Sequence, residues 1–222
     1  QVYLQYNYHR RMDMLLHLDT ISRKATEELS DSFSDLPETE HLDGKYRLRR
    51  YSVISCTEES CGDLKDQTFF QSEDFNSFQG GMVRKFEPIE DSVINSNGLL
   101  EVYNKFREIA GFPAGQRVDV HQMRVITLEE ETQVSPEGVH QDGYDYICIV
   151  GINRHNITGG HFLSYGNKDE EPFLSLPLEA GSMVVVNDRR LWHNASTIKS
   201  RFPIGHEAGF LDSFILTMRF DN

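Results

Sequence analysis

A chain of 222 residues, 38% hydrophobic and 26% charged, has the material for one domain with a full core and is too apolar to be disordered. Its formal net charge of −13 repels phosphates on average and argues against non-specific nucleic-acid binding. No apolar run approaches a membrane span and no secretory signal is visible, so the expectation is a cytoplasmic protein with neither nucleic acid nor membrane as partner. The chain opens on Gln1 rather than Met, which leaves room for residues upstream. Three cysteines do not make a disulfide framework and fit a reducing compartment. Cys56 and Cys61 either pair or flank a loop, and Cys148, inside an apolar run, reads as a small core residue.

In chain order, residues 1–44 are expected to form a helical N-terminal extension. Leu4, Met12, Leu15, Leu16, Leu18 and Ile21 make a rough apolar stripe up to about residue 30, and a polar connector with Pro37 and Gly44 follows. Residues 45–115 should hold strands and a support helix. Tyr46 to Cys56 reads as the first strand, and its basic cluster Arg47-Leu48-Arg49-Arg50 serves equally as solvated charge or as a site for an anionic group. A helix is expected over Val93 to Ala110, ended by Gly111-Phe112-Pro113.

From residue 116 to 222 the texture becomes short β-rich runs: Val118 to Leu128, Tyr144 to Ile152, His161 to Tyr165, Ser182 to Asn187 and Asp212 to Phe220. Turn residues punctuate them, a spacing that suggests an all-β sandwich or barrel rather than a parallel sheet. The predicted fold is mainly β with flanking helices (α+β): a double-stranded β-helix, or jelly roll of cupin-like form, with the N-terminal helices packed on it. The whole chain is read as a single domain, 1–222.

His140-Gln141-Asp142 stands at the entrance of the second of these runs. On extended backbone, residues two apart share a face, so an imidazole and a carboxylate would lie side by side. His193 follows the run Val184-Val185-Val186-Asn187-Asp188 and supplies a second imidazole from a distant strand. Two histidines and one carboxylate on one side of a metal leave positions open, the arrangement expected of non-haem Fe(II) oxygenases. His155, His161 and His206 compete as the distal ligand.

These residues sit among others that carry a resemblance. They are Phe70-Gln71-Ser72 with Asn76 and Gly80-Gly81; Arg84-Lys85-Phe86-Glu87-Pro88-Ile89; His121-Gln122-Met123-Arg124; Pro136 through Gly143; Asn153 through Ile157; Asp188 through His193; and Gly209-Phe210-Leu211-Asp212. Over about Tyr46 to Phe220 the chain resembles the Fe(II)/2-oxoglutarate dioxygenase family that contains the bacterial free L-amino-acid hydroxylases. The resemblance implies Fe(II) held by His140, Asp142 and His193, with 2-oxoglutarate as co-substrate and O2 as oxidant. It implies hydroxylation of a C–H bond coupled to formation of succinate and CO2, and a small-molecule amino-acid substrate. A homodimer is left open.

One position departs from the family. The distal carboxylate of 2-oxoglutarate wants a guanidinium, which binds a carboxylate through two parallel hydrogen bonds. The family places that arginine at the start of the last strand, where this chain has Leu211. Arg124 and Arg154 are the expected substitutes, ahead of Arg201 and Arg219. For the substrate, Arg84 or Arg47 would meet a carboxylate, and Glu137, Asp145 or Asp188 an ammonium group. Phe69, Phe70, Tyr144 and Trp192 would line an apolar pocket. Asp188 is alternatively an acceptor that orients a ligand histidine. Alternatives to the hydroxylase are an iron oxygenase of the same fold that does not use 2-oxoglutarate, and a non-catalytic jelly-roll binding protein.

Overall fold

The computed structural model describes residues 14–66, 68–128, 131–202 and 207–220. Its long strands alternate in what they bury. Along β6 (Val118–Thr127), Val118 and Val120 enter one apolar core, whereas His121 and Met123 face a cavity on the other side. Along β14 (Gly209–Met218), Phe214, Leu216 and Met218 join that core, and Leu211, Ser213, Ile215 and Thr217 face the cavity. In β7 (Tyr146–His155), Cys148, Val150 and Ile152 point to the core and Ile149 and Gly151 to the cavity. With β1 (Leu16–Thr20), β2 (Arg47–Cys56), β3 (Cys61–Asp63) and β11 (Ser182–Asn187), they form an antiparallel seven-stranded sheet of order β1-β11-β7-β14-β6-β2-β3.

Helices cover the outer face of this sheet. They are α1 (Arg23–Ser30), α2 (Asp91–Ile94) and α3 (Asn97–Ala110). Leu29, Val102, Tyr103 and Phe106 pack into one core with Phe214 and Leu216. Each such side chain stabilises by roughly 1.5–3 kcal/mol on burial. The inner face is opposed by β9 (His161–Tyr165), β10 (Leu174–Pro177) and β12 (Trp192–Ala195), in order β10-β9-β12. Two small pairs close the ends: β8 (Ile157–Gly159) with β13 (Ile198–Ser200), and β4 (Thr68–Phe70) with β5 (Val83–Lys85). This is the expected jelly roll with helices packed on one side.

Three local expectations are corrected. Leu16–Thr20 is a strand rather than part of a helix: it pairs from Leu16↔Val186 to Thr20↔Ser182 and covers the edge of β11. An open edge of unpaired backbone groups is a stronger demand than a weak apolar stripe, and Leu18 is half-exposed. Helix begins only after Ser22, whose hydroxyl accepts from Ala25 N–H; Leu4 and Met12 lie outside the described residues. The helix expected from Val93 breaks at Asn95, and a new one starts where the Ser96 side chain accepts from Leu99 N–H. Gly111, with φ 79°, ends it as expected. Cys56 and Cys61 are bonded across the β2–β3 pair, so of the two readings the pairing holds.

Candidate metal centre

His140 and Asp142 follow a turn in which Gly138 N–H donates to Ser135 O at 3.1 Å and Gly138 takes φ +75°, a left-handed conformation that favours glycine. His193 is the second residue of β12. Two reciprocal backbone hydrogen bonds, His140 N to His193 O and His193 N to His140 O, both 2.9 Å, hold the histidines opposite each other. Their ring centroids are 4.3 Å apart. His140 Nε2 lies 3.3 Å from Asp142 Oδ1, and His193 Nε2 lies 3.4 Å from Asp142 Oδ2. One ligand atom from each of the three lies within 4.8 Å of the others. His140 Nδ1 is 2.8 Å from Gly138 O, which can only accept; a proton on Nδ1 leaves Nε2 free for a metal. Two imidazole nitrogens and a carboxylate facing one point fit a divalent transition metal, Fe(II) included.

The metal-free electrostatics point the same way. Burial pushes His140 down, but hydrogen bonding and charge from Asp142, then Glu137, outweigh it and raise the imidazole to about 9. Burial also works against ionised Asp142, yet the two imidazoles outweigh it and hold its carboxyl well below the usual range. The site attracts positive charge at its centre. Behind it, Asp188 accepts from the N–H groups of Asp142 (3.0 Å to each oxygen), Gly143 (2.8 Å) and Tyr144 (2.9 Å). Burial, then the Asp142 charge, raises Asp188. His193 Nδ1 stands 3.8 Å from Asp188 Oδ1, within a small shift of a hydrogen bond. On the other side, Gln71 Nε2 donates to Asp142 Oδ1 at 3.0 Å, and Asn76 Nδ2 holds Gln71 Oε1 at 3.0 Å.

The triad opens into a cavity between the inner face of the large sheet and β9–β12. Met123, Val134, Ile149 and Phe162 give it apolar walls, and one end carries Arg47 and Arg49 from β2 and Arg84 from β5. Arg47 pairs with Asp43 (2.6 Å) and Glu137 (3.3 Å). Burial alone would raise Glu137, but Arg47 and then His140, with smaller contributions from a backbone hydrogen bond and Arg49, together outweigh it and hold the carboxyl below its ordinary value. Arg84 is 2% exposed; its guanidinium stacks 4.9 Å from the Phe69 ring, and its Nε has no hydrogen-bond partner. His121 is buried beside these cations, and burial, then Arg49 and Arg84, keeps it well below its usual value and neutral.

Of the residues expected at the site, His140, Asp142, His193, Arg84, Glu137 and Tyr144 come together around this cavity. Arg47 and Phe69 join them. Arg124, Arg154 and Trp192 do not, which corrects those expectations. Arg124 is paired with Asp212 through two hydrogen bonds (2.7 and 2.8 Å) and lies over Phe210, because the inward positions of β6 are the odd-numbered ones. Arg154 is turned to the carbonyls of Gly159 (2.5 Å) and Gly160 (3.1 Å). Trp192, next to His193 on a strand, takes the opposite face, under Lys168. Asp188 lies behind the triad rather than in the cavity. Of the rival ligands, His155 pairs with Glu207 and His161 with Ser175; His206 lies outside the described residues.

Arg49, His121 and Gln71 line the cavity without having been assigned to it. Gln71 and His121 stand within matching stretches, and Arg49 within the basic cluster, so the signal was present. What the chain alone does not give is which strand face points inward.

The model of the 2OG-Fe dioxygenase family matches residues 30–217. The chain belongs to this family. Its members work with Fe(II), 2-oxoglutarate and O2, and the triad described above fits the first of these. Among curated relatives, this dioxygenase is 26% identical over 194 residues to L-isoleucine-4-hydroxylase of Bacillus thuringiensis, covering 80% of this chain and 76% of the relative. Two solved structures share the fold. A bsmA homologue from Methylobium petroleophilum has a TM-score of 0.76 at 21% identity, over 97% of this chain and 92% of the other. IDO from Bacillus thuringiensis has 0.73 at 18% identity, over 99% and 100%. Among the described residues, no helix of the dioxygenase is long and apolar enough to cross a membrane.

Proposed function

We propose that the chain hydroxylates a free L-amino acid or close derivative, with His140, Asp142 and His193 as its iron ligands. The observation that carries this reading is the triad: three ligand atoms within 4.8 Å, lining a cavity that is apolar along its walls and cationic at one end. When bound, Fe(II) couples oxidative decarboxylation of 2-oxoglutarate by O2 to hydroxylation of a C–H bond.

The protein's own residues bind and orient. Arg84, buried and with no hydrogen-bonded carboxylate among the described residues, receives the substrate carboxylate; Glu137, with one oxygen toward Arg47, receives the ammonium group. Met123, Ile149 and Phe162 seat an aliphatic side chain and keep water away from it. Asp188 and Gln71 fix the position of Asp142. The hydroxylase relative of Bacillus thuringiensis supports an amino-acid substrate. A small-molecule partner belongs to the same reading, and so does a cytoplasmic location, against which the Cys56–Cys61 bond counts because disulfides are rare in a reducing cytosol; a thiol count on the protein from its native compartment decides between them.

The test is a screen of free L-amino acids for stimulated succinate release, with mass analysis of the amino acid. One or more amino acids should raise succinate well above the rate with 2-oxoglutarate alone and gain one oxygen atom. If none is hydroxylated while succinate still forms, the substrate class is wrong.

A further inference from the structure

2-Oxoglutarate carries two carboxylates. One can join the metal with the keto oxygen; the other must be met by a cation in the cavity. The last strand offers none. Leu211 packs with Val125, Ile157 and Ile198 in an apolar cluster, and the neighbouring Asp212 is taken by Arg124 and Asn153 on the opposite face.

The cations stand two strands away. Strands β14, β6 and β2 are in register, so Leu211, Val125 and Arg47 form one row and Ser213, Met123 and Arg49 the next. Both rows face the cavity, and two strand spacings span roughly 10 Å. The three guanidiniums are not equivalent. Arg47 is committed to Asp43 and Glu137. Arg84 lies on β5, over Phe69. Among the described residues, Arg49 has only a long approach to Asp43 (3.7 Å), the Met123 sulfur at 3.6 Å and the Phe86 ring at 5.0 Å. A thioether is a weak acceptor, so most of its donors are unused. Burial, then the charge of Arg47, pulls Arg49 down to about 9, as expected of a cation with too little counter-charge. Among the described residues, the three guanidiniums have two carboxylates in ion-pair range, Asp43 and Glu137, while Asp142 faces the two triad histidines, so one positive charge is left without a close partner. A zwitterionic amino acid would not neutralise it; a distal carboxylate would.

We propose that Arg49, reaching from β2, binds the distal carboxylate of 2-oxoglutarate in place of an arginine at position 211, leaving Arg84 for the substrate. This rests on the Fe(II)/2-oxoglutarate reading of the triad. It also explains how the chain keeps its co-substrate with leucine at that position: the anchor has moved across the sheet.

The test is binding without turnover. Under anaerobic conditions, Fe(II)-loaded protein is titrated with 2-oxoglutarate and, separately, with 2-oxopentanoate, which has the same five-carbon chain without the second carboxylate. The metal-to-ligand charge-transfer absorption reports occupancy. Arg49→Gln should shift the 2-oxoglutarate midpoint upward by about 10- to 100-fold, the range for losing hydrogen bonds between charged groups. Arg49→Lys should fall between it and wild type. The 2-oxopentanoate midpoint should stay where it is in both variants, which also shows that fold and metal site survive. Arg84→Gln should leave the 2-oxoglutarate midpoint nearly unchanged. An equal shift for both acids, no shift in Arg49→Gln, or a larger shift in Arg84→Gln would overturn the assignment of Arg49. Wild-type protein that develops no band with either acid would overturn the underlying functional reading and the assignment with it.

Discussion

Asp188 accepts hydrogen bonds from three successive N–H groups, those of Asp142, Gly143 and Tyr144, and so clamps the backbone that carries the Asp142 carboxylate. Replacing it with Asn removes one acceptor oxygen and the charge facing His193. Asp188→Asn should weaken metal binding by about 10- to 100-fold, the usual cost of losing an outer partner of a ligand. A competition titration against a chelator measures this, and unchanged affinity would contradict the clamp. Asp119 makes a second, independent case. It accepts from the Tyr144 hydroxyl at 2.7 Å, and burial raises its carboxyl above its ordinary value despite that bond. The raised value means the folded state favours the protonated form. Its contribution to stability is therefore present at low pH and lost as pH rises through the unfolded value near 4 and up to the folded one. Asp119→Asn does not titrate, so its melting temperature should gain on wild type between about pH 3 and 7. A constant difference across that range would contradict this reading. At this scale, residue type and spacing singled out residues that the fold brings together: the triad, Arg84 and Glu137 around the cavity, and Asp188 behind it. Arg124 and Trp192 were misplaced because the phase of a strand's alternation depends on where its pairing begins. For Trp192 the error was avoidable, since its neighbour His193 already claims the inward face.

The long strands were readable from their sequence because each carries a buried run; His161–Tyr165 and Ser182–Asn187 match their expected bounds. The strands of three or four residues, such as β8, β12 and β13, are too short for a period to show and exist because a partner is in register. The same tertiary demand made Leu16–Thr20 a strand. The helix end at Gly111 was legible from its glycine, whereas the starts at Ser22 and Ser96 were not, because the apolar period runs on through both caps. Gly151 shows how tightly the elements meet. It lies in β7 facing the cavity, and a Cβ there would come 2.4 Å from Leu178 O and 2.8 Å from Glu179 O, both backbone atoms. Gly151→Ala should destabilise the fold by about 1–3 kcal/mol, as overpacking does. Denaturant unfolding measures the loss, and wild-type stability in that variant would show that the segment around Leu178 yields freely.

Across the whole molecule, the triad ties one sheet to the other. His140 and Asp142 lead into β7 of the large sheet, and His193 belongs to β12 of the small one. A metal held by all three would join the two layers, while the cavity between them supplies the cation end on β2 and β5 and the apolar walls. The family and the jelly roll were visible in the spread of matching stretches along the chain. The site's cationic end was visible only in part: Arg84 and the Arg47–Arg50 cluster stood out as partners for an anion, but that Arg47, Arg49 and Arg84 share one cavity follows only when β2 and β5 converge. The central claim, iron held by His140, Asp142 and His193 with 2-oxoglutarate beside it, is tested most directly by anaerobic absorption spectroscopy of wild type and His193→Ala with Fe(II) and 2-oxoglutarate. The wild-type protein should develop the charge-transfer band and then, on admission of oxygen, release succinate, and His193→Ala should do neither. An undiminished band and succinate release in His193→Ala would contradict the account.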